Sequence, residues 1–148
     1  MLAYIGLSIG DLASGSLSQL LRSRKKVVGL FMGLSVLCMV LYFTVASTSL
    51  VAFYACALAL GVAGGYWAIF VTIASEQFGT NIRATATTTV PNFVRGAVAL
   101  LTTSFTALKV SLGITQAAIA VGTACFAIGI VSLLSLDETY GKDLDFVE

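Results

Sequence analysis

Residues 27–75 read VVGLFMGLSVLCMVLYFTVASTSLVAFYACALALGVAGGYWAIFVTIAS, without one charged side chain. A second uncharged run covers residues 110–136. A water-soluble domain of 148 residues cannot carry such runs, because its helices need polar outer faces. About 20 apolar residues at a rise of about 1.5 Å cross a hydrocarbon core about 30 Å thick, so uncharged runs of this length are read as membrane-crossing helices. Composition agrees: 58% hydrophobic, 10% charged, mean hydropathy +1.00. The sequence therefore predicts an all-α integral membrane protein. A β-barrel is excluded, since its strands would alternate polar and apolar residues over about 10 positions.

These runs and their flanks divide into five spans, over residues 1–21, 27–46, 50–75, 84–108 and 116–136, with a polar tail at 137–148. Helical spans satisfy every backbone group internally, which lipid demands. Arg22, Arg24, Lys25 and Lys26 fill the first link, Arg83 lies in the third and Lys142 in the tail, whereas the second and fourth links hold only Lys109. That six-to-one asymmetry places the first and third links and the C-terminus on the cytoplasmic side of the cell membrane, with the N-terminal end outside. No basic n-region precedes the first segment and Asp11 interrupts it, so it is not read as a cleavable signal. An odd span count that starts outside suits the end of a longer protein.

Eight Lys and Arg against seven Asp and Glu give a net charge of +1, which points to no nucleic-acid partner. There is no His, and Cys38, Cys56 and Cys125 sit singly in apolar runs, where they read as small buried hydrophobes. No metal site, no cofactor and no nucleophile–base arrangement emerges, so the sequence does not read as an enzyme.

Small residues recur every four positions at Gly6, Gly10, Ser14 and Ser18, at Gly29 and Gly33, and at Gly61 and Gly65. This spacing lets helix backbones approach closely where lipid supplies no hydrophobic drive. It suits plain bundle packing or smooth interfaces that rock between states. Gly61, Gly64 and Gly65 also loosen the third span midway, and Tyr66 and Trp67 follow at once, either packed or lining a cavity.

Two charges interrupt the apolar spans. Asp11 stands 11 positions before Arg22, about 16 Å along a helix, and so near the middle of the first span. An Asp at that depth costs roughly 2.5–3.5 kcal/mol and needs a partner, a proton or water. It reads as a substrate or coupling-ion residue, a member of an ion pair, or a cap near a later helix start. Arg95 is equally deep if the fourth span starts at Ala84, and near the interface if Pro91 occupies its first turn. Asn92, three residues earlier on the same face, can join it. Asp11 and Arg95 therefore suit a mutual pair or a site for an anionic substrate.

The links carry further patterns. Residues 15–26, GSLSQLLRSRKK, resemble the second-half copy of the loop motif of the major facilitator superfamily, with Gln19 where that motif has Asp and Ser23-Arg24-Lys25 in place of Gly-Arg-Lys. Residues 76–83, EQFGTNIR, are similar to the Glu-x-Phe-Pro-x-x-x-Arg loop of its sugar-porter and organic-ion branches, with Gly79 for Pro. Residues 137–141, DETYG, resemble the Pro-Glu-Thr-x-Gly sequence that follows the last helix of those porters. The resemblance covers nearly the whole chain and implies helices eight to twelve of a twelve-helix carrier. It implies alternating-access transport of a small polar solute, a sugar or an organic anion, ion-coupled and without a prosthetic group. It further implies a missing N-terminal half as partner, and cytoplasmic gate roles for Arg24, Lys25, Glu76 and Arg83. The competing expectation is a truncated, non-transporting membrane interaction subunit.

Overall fold

The computed structural model describes residues 1–143 and 145. It is 82% helical, with no strand among the described residues. Six helices follow in order: α1 (Leu2–Leu20), α2 (Arg24–Val45), α3 (Leu50–Gly64), α4 (Trp67–Glu76), α5 (Arg83–Leu112) and α6 (Ile114–Ser135). Four helical stretches are long and apolar enough to cross a membrane: α2, the α3–α4 pair taken together, α5 and α6. α1 is not among them, against the expected five spans. Asp11, Ser8, Ser14, Ser16, Ser18 and Gln19 dilute its apolar content.

The helix ends shift from the expected bounds for local reasons. α2 begins at Arg24 rather than Val27, because the Ser23 hydroxyl accepts the Lys26 N–H and caps it. Arg24 and Lys25 are thus in the first helical turn, not in a link. The expected 109–115 link shrinks to Gly113, whose φ of 81° stops α5 where a side chain would be strained. Lys109 falls in the last turn of α5, where a cation favours the exposed carbonyls. Pro91 lies in the interior of α5, so Arg95 is 12 residues, about 18 Å, beyond its start.

α1 lies against α3 at backbone contact. A Cβ on Gly6 would fall 2.3 Å from the Leu58 carbonyl oxygen, one on Gly10 2.2 Å from that of Val62, and one on Gly61 2.1 Å from that of Ala3. The α1 stripe, with Ser14 and Ser18 buried, is therefore a true packing seam. The second stripe is not: a Cβ on Gly33 would meet nothing within 4 Å, and one on Gly29 would meet only the Leu133 side chain. The buried core is small, built from Val27, Val28, Phe31 and Met32 of α2 with Ile69 and Ile73 of α4. Cys38 is buried as expected, whereas Cys56 and Cys125 are only half-buried. The outer faces of α2, α5 and α6 expose large apolar side chains such as Leu37, Leu100, Ile128 and Leu134.

Candidate functional site

The third span breaks at Gly65 and Tyr66, both of which leave helical geometry. A Cβ on Gly65 would lie 2.4 Å from Gly10 Cα, so α1 presses directly on the break. An interrupted helix leaves orphan carbonyls on one side and orphan N–H groups on the other. Two side chains take them up. The Ser35 hydroxyl of α2 donates to the Ala63 carbonyl at 3.0 Å, and Asp11 Oδ1 of α1 accepts the Ala68 N–H at 3.3 Å. The Asp11 carboxylate thus sits at the positive end of α4, halfway along α1.

Arg95 is not the partner of Asp11. Its guanidinium stands 5.8 Å from the Trp67 ring centre and donates to Asn92 Oδ1 at 3.4 Å. Trp67 is the first residue of α4, so Asp11, Trp67, Asn92 and Arg95 all gather at the break through one chain of contacts. Tyr66 turns inward instead, its ring edge-on to Phe31 at 6.5 Å. A cavity of about 260 Å³ opens here, lined by Ser35, Gly64, Tyr66, Trp67, Phe70 and Val94.

A second polar cluster closes the end of the bundle where α1, α4 and α6 finish and α2 begins. Arg24 Nη2 pairs with Glu76 Oε1 at 3.1 Å, with only 15% and 11% of the two side chains exposed. Arg24 Nη1 donates to Ser18 Oγ at 2.6 Å, and its guanidinium lies 5.2 Å from the Tyr140 ring centre. The other Glu76 oxygen accepts the buried Thr139 hydroxyl at 2.6 Å. Both carboxylate oxygens of Glu76 are therefore satisfied, which is what makes a nearly buried carboxylate tolerable.

Glu138 completes the cluster by capping α2. It accepts the Ser23 hydroxyl and the N–H groups of Arg24 at 2.8 Å and Lys25 at 3.4 Å, together with that of Tyr140 at 3.1 Å. Burial alone would raise this carboxyl, but the bonds from Ser23, Arg24, Tyr140 and Lys25 outweigh it and hold Glu138 below its ordinary value. Lys25 crosses to α6 and donates to the Leu134 and Leu136 carbonyls at 2.9 and 2.6 Å, occupying its C-terminal end. The Tyr140 hydroxyl donates to Gln19 at 3.2 Å.

Of the four expected gate residues, Arg24, Lys25 and Glu76 meet here. Arg83 is turned to the α4–α5 connection, where its Nε donates to the Ser75 and Phe78 carbonyls at 3.0 and 3.2 Å. Ser18, read from the sequence only as a packing residue, and Glu138, Thr139 and Tyr140, to which the sequence assigned no gate role, are further members. The signal for the last three is their place in the 137–141 motif. Ser35 has no signal beyond being a hydroxyl in an apolar run.

No protein-family model, no curated protein and no solved structure matches the chain.

Proposed function

We propose that this chain forms helices eight to twelve of a major facilitator carrier that moves a small polar solute, a sugar or an organic anion, by ion-coupled alternating access. In this reading α1 is a fifth span, tolerated in lipid because Gly6 and Gly10 pack against α3 and Ser14 and Ser18 are buried, and the basic end of the bundle is cytoplasmic. The observation that carries the proposal is the convergence of the three motif segments. Residues 15–26, 76–83 and 137–141 are far apart in sequence and resemble one family's links, and their side chains join in one cluster around Arg24 and Glu76. Such a cluster at the ends of α1, α2, α4 and α6 has the form of a gate. It holds while its charges are paired and opens when the helix ends part. The region around Asp11, Trp67, Asn92 and Arg95 is the matching place for solute and coupling ion, beside a loosened helix.

α5 supports a missing partner half. Its half-buried and buried residues Ala86, Val90 and Pro91 lie on one face. Thr85, Thr89, Gly96 and Thr103 lie on the opposite, exposed face, a small and polar stripe suited to another helix or to water. The test is uptake of sugars and organic anions into proteoliposomes by the polypeptide in the length its gene encodes. Saturable uptake that collapses when the ion gradient is dissipated supports the carrier. No uptake of any solute in the panel, with the protein folded and inserted, favours the interaction subunit.

A further inference from the structure

Two opposite charges flank Trp67 at the α3–α4 break without neutralising each other. Asp11 takes the Ala68 N–H with Oδ1, and its second carboxylate oxygen accepts no hydrogen bond among the described residues. A guanidinium has five N–H donors; that of Arg95 spends one on Asn92 Oδ1 at 3.4 Å and pairs with no carboxylate among the described residues. Asp11 is half-buried and Arg95 exposed, so neither charge is sealed off. Trp67 joins them, as the residue before the capped Ala68 and as the ring that stands 5.8 Å from the guanidinium. Charges within a span need partners, and each of these two keeps binding capacity that the other does not fill.

A third element adjoins the pair. The cavity of about 260 Å³ beside Trp67 is lined without a single charge, and Val94, the neighbour of Arg95, forms part of its wall with Tyr66 and Phe70. The Ser35 hydroxyl on that wall is already engaged with the Ala63 carbonyl. α3 and the span of α2 from Val27 onward bring no charged side chain to the break. The Arg24–Glu76 pair lies at the other end of α4, about 13 Å from Trp67.

We propose that the break is a binding site for a zwitterionic amino acid with an uncharged, apolar side chain. Its ammonium donates to the open Asp11 oxygen, its carboxylate accepts from Arg95, and its side chain enters the cavity beside Trp67 and Phe70. The long, exposed Arg95 side chain adjusts to the spacing of the two ligand charges. A sugar would leave both protein charges unmatched. An anion without an ammonium would meet Arg95 but stand against Asp11, and a cation without a carboxylate would suffer the reverse. This assignment rests on the carrier reading for the solute being transported, and narrows its small polar solute to one that bears both charges.

The test is binding of tritiated leucine to the polypeptide in the length its gene encodes, held in lipid nanodiscs, by scintillation proximity at about pH 7, where carboxylates and amines are normally ionised. Unlabelled leucine should compete. Isocaproate, which lacks the ammonium, and isoamylamine, which lacks the carboxylate, should each compete at least about tenfold less well, the range of one lost hydrogen bond between charged groups. Asp11→Asn should weaken leucine by a similar factor and leave isocaproate unchanged or tighter. Arg95→Gln should weaken leucine and leave isoamylamine unchanged or tighter. A structural role for either residue would weaken all three ligands together, and that result overturns the proposal. So does equal competition by either analogue, or the absence of saturable binding of leucine, valine and phenylalanine at millimolar concentration. If a variant does not assemble, the ranking of the three ligands on the unaltered protein decides. Leucine binding without uptake leaves the proposal standing and fails the carrier; uptake of a sugar or anion with no amino-acid binding does the reverse.

Discussion

Replacing Arg24 by Met tests whether the cluster at the bundle end acts as one unit. Met keeps much of the aliphatic stem and removes the charge. Breaking one side of a fully buried pair costs about 3–5 kcal/mol, and an exposed pair contributes about 0–1 kcal/mol. The Arg24 and Glu76 side chains are 15% and 11% exposed, nearer the buried limit. Thr139 still donates to Glu76 in the variant, which softens the penalty on the orphaned carboxylate. The bond to Ser18 and the stacking on Tyr140 are lost as well. The expected cost is about 2–3 kcal/mol, and Glu76→Gln, which keeps an acceptor for Thr139, should cost about 1–2 kcal/mol. The double variant should cost less than the two singles added, by about 1–2 kcal/mol, because the second change removes a group the first had already stranded. Equilibrium unfolding from mild detergent into dodecyl sulfate micelles gives all four stabilities. A coupling below about 0.5 kcal/mol would mean that the cluster does not act as one unit, since contacting charges at this burial should not be independent.

Three further outcomes follow from the geometry. Gly10→Ala puts a methyl 2.2 Å from the Val62 carbonyl oxygen and should cost about 1–3 kcal/mol, while Gly33→Ala, which meets nothing, should be neutral or stabilising by up to about 1 kcal/mol in the same unfolding assay. Glu138 lies below its ordinary value, so its contribution is complete above about pH 4.5, the unfolded value, and drains away as pH falls through the lower folded value. Limited proteolysis of the tail should therefore accelerate on acidification, and Glu138→Gln should show the fast rate already at neutral pH. For topology, a single cysteine at Ser47 should react with an impermeant thiol reagent added outside intact cells and one at Lys26 should not; the opposite pattern reverses the orientation. Lys26 is the better probe than Ser23, which is buried and caps α2.

The all-helical class could be read from charge spacing, because lipid-length apolar runs have few alternative folds; the helix count could not, since the third span divides into α3 and α4 and α1 is too polar to count among the four membrane-length stretches. The break in the third span was legible from Gly61, Gly64 and Gly65, and the α1 seam from Gly6 and Gly10. Gly29 and Gly33 show the limit of that signal. Equal spacing on α2 forms no seam, since a stripe specifies only that a helix can approach, and α1 had already taken the matching glycines of α3. The ends of α2 and α5 were misplaced for a different reason: charge suggested links at Arg24, Lys25 and Lys109, yet a Ser cap and a left-handed glycine set the helix limits.

The partner of Asp11 was the least legible feature. A carboxylate within a span invites a search for a cation in the sequence, and Arg95 was the only one at similar depth. The structure satisfies it with a backbone N–H that exists only because α3 and α4 are separate helices. Such a partner has no residue type to betray it. The same break frees the Ala63 carbonyl for Ser35, so one interruption in the chain calls for an acceptor on one side and a donor on the other, and α1 and α2 each supply one. An Asp and a Ser placed singly in opposing apolar helices, at the level of a glycine-rich interruption in a third, is therefore the pattern to seek where a charge in a span finds no counter-charge.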